Sequence, residues 1–176
     1  MLNRAAHGPE FIRVEWCGTV EQDLQKNFLK SFTRATSVKT LSLSAQGFTH
    51  GPLFPAGNLP ESFLPNLSTI EADTMDSLIK LVPGRPVHTV TLDEFISWDS
   101  IGPVVEALKQ STSNIENLQI VINGAPDQDQ IVKTLEIIVA EFKDLVTLQW
   151  TCRPHDIRDP YFVEVTTCFA SAQVTA

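Results

Sequence analysis

Few residues of this 176-residue chain have the types and spacing that chemistry requires. Cys152-Arg153-Pro154-His155 has the spacing of half a zinc site, but neither Cys17 nor Cys168 belongs to a second half of that form. A cysteine–histidine nucleophile pair is the other chemistry open to these residues, yet no catalytic motif surrounds any of the cysteines. The sequence therefore predicts no catalytic residue, no metal ligand and no cofactor, and we do not expect an enzyme.

Glycines and charged residues indicate equally little about phosphate or cation binding. The chain contains neither G-x-G-x-x-G nor G-x-x-x-x-G-K-[ST], the loops that cradle nucleotide phosphates. Gly84-Arg85 could contact an anion at a loop tip, although Gly-Arg between prolines more often only makes the turn. Asp156, Arg158 and Asp159 could bind a cation, but a solvated salt bridge before a helix explains them better.

The most informative polar residues recur at alternate positions of six short segments. If the segments are adjacent parallel strands, these residues form two rows on the concave face of the sheet, and a mostly uncharged surface of this kind could hydrogen-bond a protein or peptide. A solvated face without a partner is the alternative. The first row is Arg13, Thr40, Thr69, Thr89, Asn117 and Thr147, and the second is Glu15, Ser42, Glu71, Thr91, Gln119 and Gln149. The candidate binding residues are Arg13, Glu15, Lys39, Ser42, Glu71, His88, Thr91, Asn117, Gln119 and Gln149.

The segments that carry these rows share a six-residue template with apolar residues at its first, fourth and sixth positions. The template predicts strands over 11–16, 38–43, 67–72, 87–92, 115–120 and 145–150. Their first residues lie 20 to 30 positions apart, which is typical of a solenoid that contributes one strand per repeat. We expect the three apolar template residues of each segment, Phe11, Val14 and Trp16 in the first, to point inward.

Amphipathic segments between most of these strands predict helices. The expected helices span 20–34, 74–82, 99–110 and 127–142, and Asp159-Pro160 predicts the start of another that extends to Ala170. Residues 44–66, rich in glycine and proline, instead predict an irregular crossover with one helical turn at Glu61 to Leu64. Alternating strands and helices predict a parallel sheet in a single α/β domain over residues 1–176.

The template and its period resemble the leucine-rich repeat over nearly the whole chain. That family usually places Asn or Cys three residues after the template, and of the corresponding positions here only Asn123 conforms. The resemblance implies a leucine-rich-repeat-like solenoid of about five or six degenerate units. Short parallel strands would lie on one face of it, and helices or irregular crossovers on the other.

A second resemblance lies in LPNLSTIEA over residues 64–72, followed by VPGRPV over residues 82–87. These phrases resemble the repeat regions of fungal F-box proteins, in which an N-terminal F-box recruits the ubiquitin-ligase adaptor and the repeats hold the substrate. No F-box pattern precedes Phe11. The resemblance therefore implies the substrate-recognition half, with adaptor binding only if an F-box exists outside this chain.

Composition and charge exclude several other classes of protein. A chain that is 43% hydrophobic and 19% charged is neither disordered nor collagen-like. Its 13 basic and 21 acidic residues give a net charge of −8, which argues against nucleic-acid binding. No apolar run approaches the roughly 20 residues of a membrane span, and no apolar core of a signal peptide follows Met1. The three cysteines are an odd number without a close pair, which is typical of reduced intracellular thiols. Together these features predict a cytoplasmic or nuclear protein.

Taken together, these features predict a protein-interaction module. A small α/β enzyme is one alternative, and it would have strands that are apolar on both faces, unlike the polar-centred segments found here. A partial gene product is the other, because the first and last predicted units would leave both ends of a solenoid open.

Overall fold

A computed structural model describes residues 8–17, 22–33, 35–46, 53–54, 57, 59–123, 128–153 and 163–168. These residues form one seven-stranded sheet whose strands lie side by side in chain order. The first six strands are parallel, and the seventh pairs antiparallel with the sixth. The strands are β1 (Phe11–Cys17), β2 (Thr40–Gln46), β3 (Thr69–Ala72), β4 (Thr89–Ile96), β5 (Asn117–Asn123), β6 (Thr147–Arg153) and β7 (Val163–Cys168).

Helices connect most of the parallel strands, as the amphipathic patterns predict. They are α1 (Gln22–Phe32), α2 (Met75–Leu81), α3 (Ile101–Leu108) and α4 (Gln128–Glu141), with a short 3₁₀ helix (Trp98–Ser100) leading into α3. Thr74 caps α2, because its extended backbone lets the hydroxyl oxygen accept a hydrogen bond of 3.3 Å from the Ser77 N–H. Of the helices in the described ranges, none is long and apolar enough to cross a membrane.

The core lies between the sheet and the helices, and the template residues form its sheet side. The fourth and sixth positions of β2 to β6 point toward the helices and are buried, as Leu118 and Ile120 are on β5. The first position is buried as well, but it precedes the strand: Val38 lies two residues before β2. Observed strands therefore begin two residues later than predicted for β2 to β6. The α/β class and the parallel sheet are confirmed.

The template is wrong for β1. Phe11, expected to point inward, is 56% exposed, whereas Ile12 and Val14 pack against the core. The reason is alternation: within a regular strand, residues three apart lie on opposite faces, so Phe11 and Val14 cannot both face the helices. In the other units the first template residue escapes this constraint because it lies outside the strand. As a consequence Arg13 pairs with Ser42, two residues out of the predicted register.

The helix predicted from Asp159 to Ala170 is also wrong. Residues Val163–Cys168 form β7, which is antiparallel to β6 with Thr147 opposite Cys168. Four of its six residues are β-branched, which favours a strand over a helix. Only residues 154–162 connect the two strands, fewer than a parallel crossover needs, so the chain returns antiparallel. Asp159-Pro160 itself lies outside the described residues.

The crossover between β2 and β3 is irregular where the structure describes it, as predicted. The expected helical turn at Glu61 to Leu64 is instead a hydrogen-bonded turn, in which the Phe63 N–H donates to the Pro60 carbonyl oxygen at 2.9 Å. Phe54 and Phe63 are buried against each other with ring centroids 6.2 Å apart. The crossover therefore contributes aromatic core in place of a helix.

Arg85, which follows α2, hydrogen-bonds to the main chain of this crossover and stabilises its position. Its side chain is only 1% exposed, and its guanidinium donates to the carbonyl oxygens of Phe63 at 2.7 Å, Pro83 at 2.7 Å and Pro60 at 3.1 Å. The group also lies 5.8 Å from the Phe63 ring centroid. Burial lowers the pKa of Arg85, although a guanidinium stays protonated at neutral pH. The charge is thus satisfied by main-chain dipoles.

Replacing Arg85 is expected to destabilise the whole fold. Arg85→Ala removes the side-chain donor of the Phe63 and Pro83 carbonyl oxygens and one of the two donors of the Pro60 oxygen, which keeps the Phe63 N–H. We therefore expect the free energy of unfolding to fall by about 2 to 4 kcal/mol. Urea denaturation followed by circular dichroism measures this loss. Lys133→Ala, an exposed cation on α4, is the matched control and should change stability by less than about 0.5 kcal/mol. A comparable loss in both variants would contradict the role assigned to Arg85.

The displaced register of β1 predicts that truncating Phe11 costs little stability. Phe11→Ala removes a largely exposed ring and should cost about 0.5 kcal/mol, whereas Leu67→Ala at the same template position removes a fully buried side chain and should cost about 2 to 5 kcal/mol. The same denaturation experiment compares them. Equal losses in the free energy of unfolding would indicate that Phe11 points inward, as the template predicts.

Candidate functional site

The candidate site is the open face of the sheet, which we define as the surface formed by Thr40, Ser42 and the residues level with them on the neighbouring strands. It is the face opposite to the one that packs against the helices. Alternation within each strand places polar residues here because the apolar residues between them are drawn into the core. The sequence pattern therefore determines the composition of this face strand by strand.

The strand register aligns the predicted rows across β2 to β6. One row consists of Thr40, Thr69, Thr89, Asn117 and Thr147, and the next of Ser42, Glu71, Thr91, Gln119 and Gln149. Both rows agree with the prediction except at β1. There Arg13 falls into the second row opposite Ser42, and Glu15 lies beyond it, opposite Ser44.

The centre of the open face holds a small depression of about 100 Å³. Its polar lining includes four predicted residues, Thr91, Asn117, Gln119 and Gln149, but also Thr89 and Thr147, which were not among the candidate binding residues. Their place in the first row was the signal that could have added them. Between neighbouring strands, the Asn117 side-chain amide donates to the Thr89 hydroxyl oxygen at 3.3 Å. The His88 Nδ1 lies 3.0 Å from the same oxygen.

The charged candidates lie at the margins of this polar centre. Arg13 Nε and the Glu15 carboxylate are 2.7 Å apart on β1, with both side chains well exposed. Lys39 precedes β2 and pairs with Glu10 at 3.0 Å. Glu71, exposed on β3, has no ion pair with any residue within the described ranges. The open face thus presents uncharged hydrogen-bonding groups flanked by a few ions.

The other residues considered for chemistry do not assemble into a site. The Arg85 guanidinium is buried and hydrogen-bonded to three carbonyl oxygens. The anion contact considered for Gly84-Arg85 is therefore wrong. In the part of the chain that the structure describes, no three His, Cys, Asp or Glu side chains come together as metal ligands would. Backbone register places Cys152 opposite Val163 and Cys168 opposite Thr147. His155, Asp156, Arg158 and Asp159 lie outside the described residues.

A larger groove of about 330 Å³ lies between the segment that follows α3 and the segment that follows α4. Its Lys109 ammonium donates to the Glu106 carboxylate at 3.1 Å and lies 3.2 Å from that of Glu141. Hydrogen bonds to Glu106 and Glu141 raise the pKa of Lys109, so the amine stays charged at neutral pH. The Asn114 amide, also in the lining of the groove, donates to the Asp144 carboxylate. These groups satisfy one another, and none was singled out in the sequence.

Comparison with known proteins adds no relative to this description. No protein-family model matches the chain, and no curated protein or solved structure is significantly similar to it. The open face is therefore interpreted from its own chemistry.

The two faces of one strand should respond very differently to truncation. Asn117→Ala removes an interstrand hydrogen bond on a half-buried face that water can reach, so it should cost about 0.5 to 1 kcal/mol. Leu118→Ala, one residue later and buried, should cost about 2 to 5 kcal/mol. Chemical denaturation of both variants checks the assignment of faces, and a larger loss for Asn117→Ala would reverse it.

Proposed function

We propose that this chain is a protein-interaction module that binds a protein or peptide through the open face. The observation that carries the proposal is the alignment of two polar rows over five adjoining parallel strands. A partner lying across the strands would meet hydroxyl and amide groups that can donate and accept, except at the Glu71 carboxylate and at Ser42, which is only 7% exposed.

The low charge of the polar rows supports binding of a polypeptide. Covering a hydroxyl or amide that gains a new hydrogen bond costs far less than covering an unpaired ion, so such a surface can be desolvated by a partner. In these two rows of β2 to β6 Glu71 is the one acidic or basic residue. Contacts from main-chain and amide groups of the partner would fit this chemistry best.

The proposal includes a leucine-rich-repeat-like arrangement of the units. Support comes from the chain order of the strands and from the stacking of equivalent apolar residues, such as Val38, Leu67, Val87, Ile115 and Leu145, at one level of the core. In such an arrangement each unit contacts mainly its neighbours, and the strand face serves as an extended binding surface.

A ubiquitin-ligase setting in the cytoplasm or nucleus is the most specific form of the proposal, and it rests on the resemblance to F-box repeat regions. The residues of that resemblance have a structural role here: Leu67, Ile70, Val82 and Val87 are core, and Arg85 fastens the crossover. In this chain, therefore, the residues of LPNLSTIEA and VPGRPV are explained by their packing in the core. Adaptor binding would need an F-box outside this chain.

The alternative of a small α/β enzyme receives less support from the same face. Strands of a doubly wound enzyme are apolar on both sides because helices cover both. The depression at the centre of the open face, about 100 Å³, is also smaller than the roughly 300 Å³ at which small-molecule pockets begin. The groove of about 330 Å³ reaches that size, but its polar groups bond one another.

An arginine placed in the centre of the open face should abolish partner binding. Gln119→Arg introduces a bulky cation into the second row, and we expect recovery of specific partners from cell lysate to fall at least about tenfold, which corresponds to about 1.4 kcal/mol. Quantitative affinity capture, with circular dichroism melts to verify folding, measures the effect.

The control for that experiment carries the same added charge on the helix side. Ala140→Arg, on an exposed position of α4, should recover partners as the unmodified chain does. Equal recovery by both variants would argue against the open face. A separate pull-down with the ligase adaptor that retains no complex would remove the ligase role and leave a plain binding module.

A further inference from the structure

The free edge of β1 is the starting point for an inference that does not depend on the proposed function. β1 ends the sheet, so among the described residues no strand lies on its outer side. It pairs with β2 over seven consecutive residues without a bulge and contains neither proline nor lysine. Its two charged residues, Arg13 and Glu15, have opposite signs and pair with each other. Proteins usually protect an edge strand with a bulge, a proline or a lysine, because the unpaired main-chain groups of the edge can bind another strand.

The hydrogen bonds to β2 identify the groups that face outward. The Thr40 N–H donates to the Glu10 carbonyl oxygen at 2.9 Å, so Glu10 directs its main chain toward β2. In a parallel pair this direction alternates from one residue to the next. The main chains of Phe11, Arg13, Glu15 and Cys17 therefore point to the outer edge.

The charges on β1 are self-complementary under two-fold symmetry. Arg13 and Glu15 lie on the open face with Val14 between them, and 2.7 Å separates their charged groups. If a second copy lies antiparallel with Val14 opposite Val14, each Arg13 lies opposite Glu15 of the second copy. Directly opposite side chains in an antiparallel pair are close enough for a salt bridge.

The same register also satisfies the outer main-chain groups. It places Arg13 opposite Glu15 and Phe11 opposite Cys17, so all four outward-pointing residues fall into hydrogen-bonded pairs and form about eight interchain bonds. A shift of two residues in one direction sets Arg13 against Arg13, and in the other Glu15 against Glu15. Both shifted registers are disfavoured by like charges.

We propose that two copies of this chain form a symmetric dimer by antiparallel pairing of β1, centred on Val14. The two-fold axis is perpendicular to the sheet, so the sheets join into one and their open faces become continuous. The helices of both copies lie on the same side. The occupant of the edge is thus a second copy, selected by the alternation of Arg13 and Glu15.

Charge reversal tests this register directly. Sedimentation velocity over a dilution series should show the unmodified chain approaching twice its mass of 19.5 kDa. Arg13→Glu places glutamates opposite each other at both symmetric contacts, and Glu15→Arg does the same with arginines. Each single variant should raise the dimer dissociation constant at least about tenfold.

Complementation then separates this interface from any other. The double variant Arg13→Glu/Glu15→Arg restores opposite charges and should dimerise like the unmodified chain. An equimolar mixture of the two single variants should form a heterodimer, because each supplies the charges that the other lacks. Glu71→Arg, a charge reversal on β3 of the same face, is the control and should leave the dimer intact.

Three results would overturn the proposal. A chain that stays monomeric at every concentration does not pair through β1. A dimer whose affinity is unchanged in both single variants uses another surface. Failure of both the double variant and the mixture to restore the dimer would show that Arg13 and Glu15 do not face each other across the interface. Since none of these measurements involves a partner protein, they leave the proposed function of the open face untouched.

Discussion

The period-two alternation of side chains along parallel strands is the constraint on which the rest of this structure depends. Apart from Val121 on β5, the template residues and their neighbours on β2 to β6 turn apolar side chains toward the helices, and this places threonines, glutamines and an asparagine on the other side. Because the strands pair in one register, separate local patterns become continuous rows. The same alternation that builds the core therefore builds the candidate binding surface. It also explains why truncation on the two sides of a strand has unequal consequences.

The crossover between β2 and β3 shows how the fold manages a unit without a helix. Its described part fills the space with aromatic rings and with turns whose carbonyl oxygens point inward. Buried carbonyl groups need donors, and a guanidinium has enough N–H groups to serve several at once. Arg85 supplies three of them to Phe63, Pro83 and Pro60. A residue that the sequence places in a turn between prolines, with an anion contact as the less favoured interpretation, is thus part of the core.

Prediction from the sequence succeeded where the signal was local and failed where it required knowledge of a neighbour. The amphipathic stripes predicted α2 and α4 to within one residue at each end, and α1 and α3 to within two. The template failed at Phe11 because it treats residues inside and outside a strand alike, and only pairing with β2 reveals where β1 begins. The cap signal at Asp159-Pro160 was outweighed by β-branched residues that could pair with β6. Thr89 and Thr147 were predicted in the first row but left out of the candidate binding residues, since only the packed strands show that they line the depression.

By itself the sequence determined which residues of β2 to β6 face the core and which face outward, because burial of apolar side chains and alternation act within a few consecutive residues. It also determined the α/β class, since helical and strand periodicities alternate along the chain. Only the tertiary structure decided the register of β1, the direction of β7 and the partners of Arg85. Each of these depends on hydrogen bonds between segments distant in the chain, and no local pattern specifies which donors and acceptors will meet.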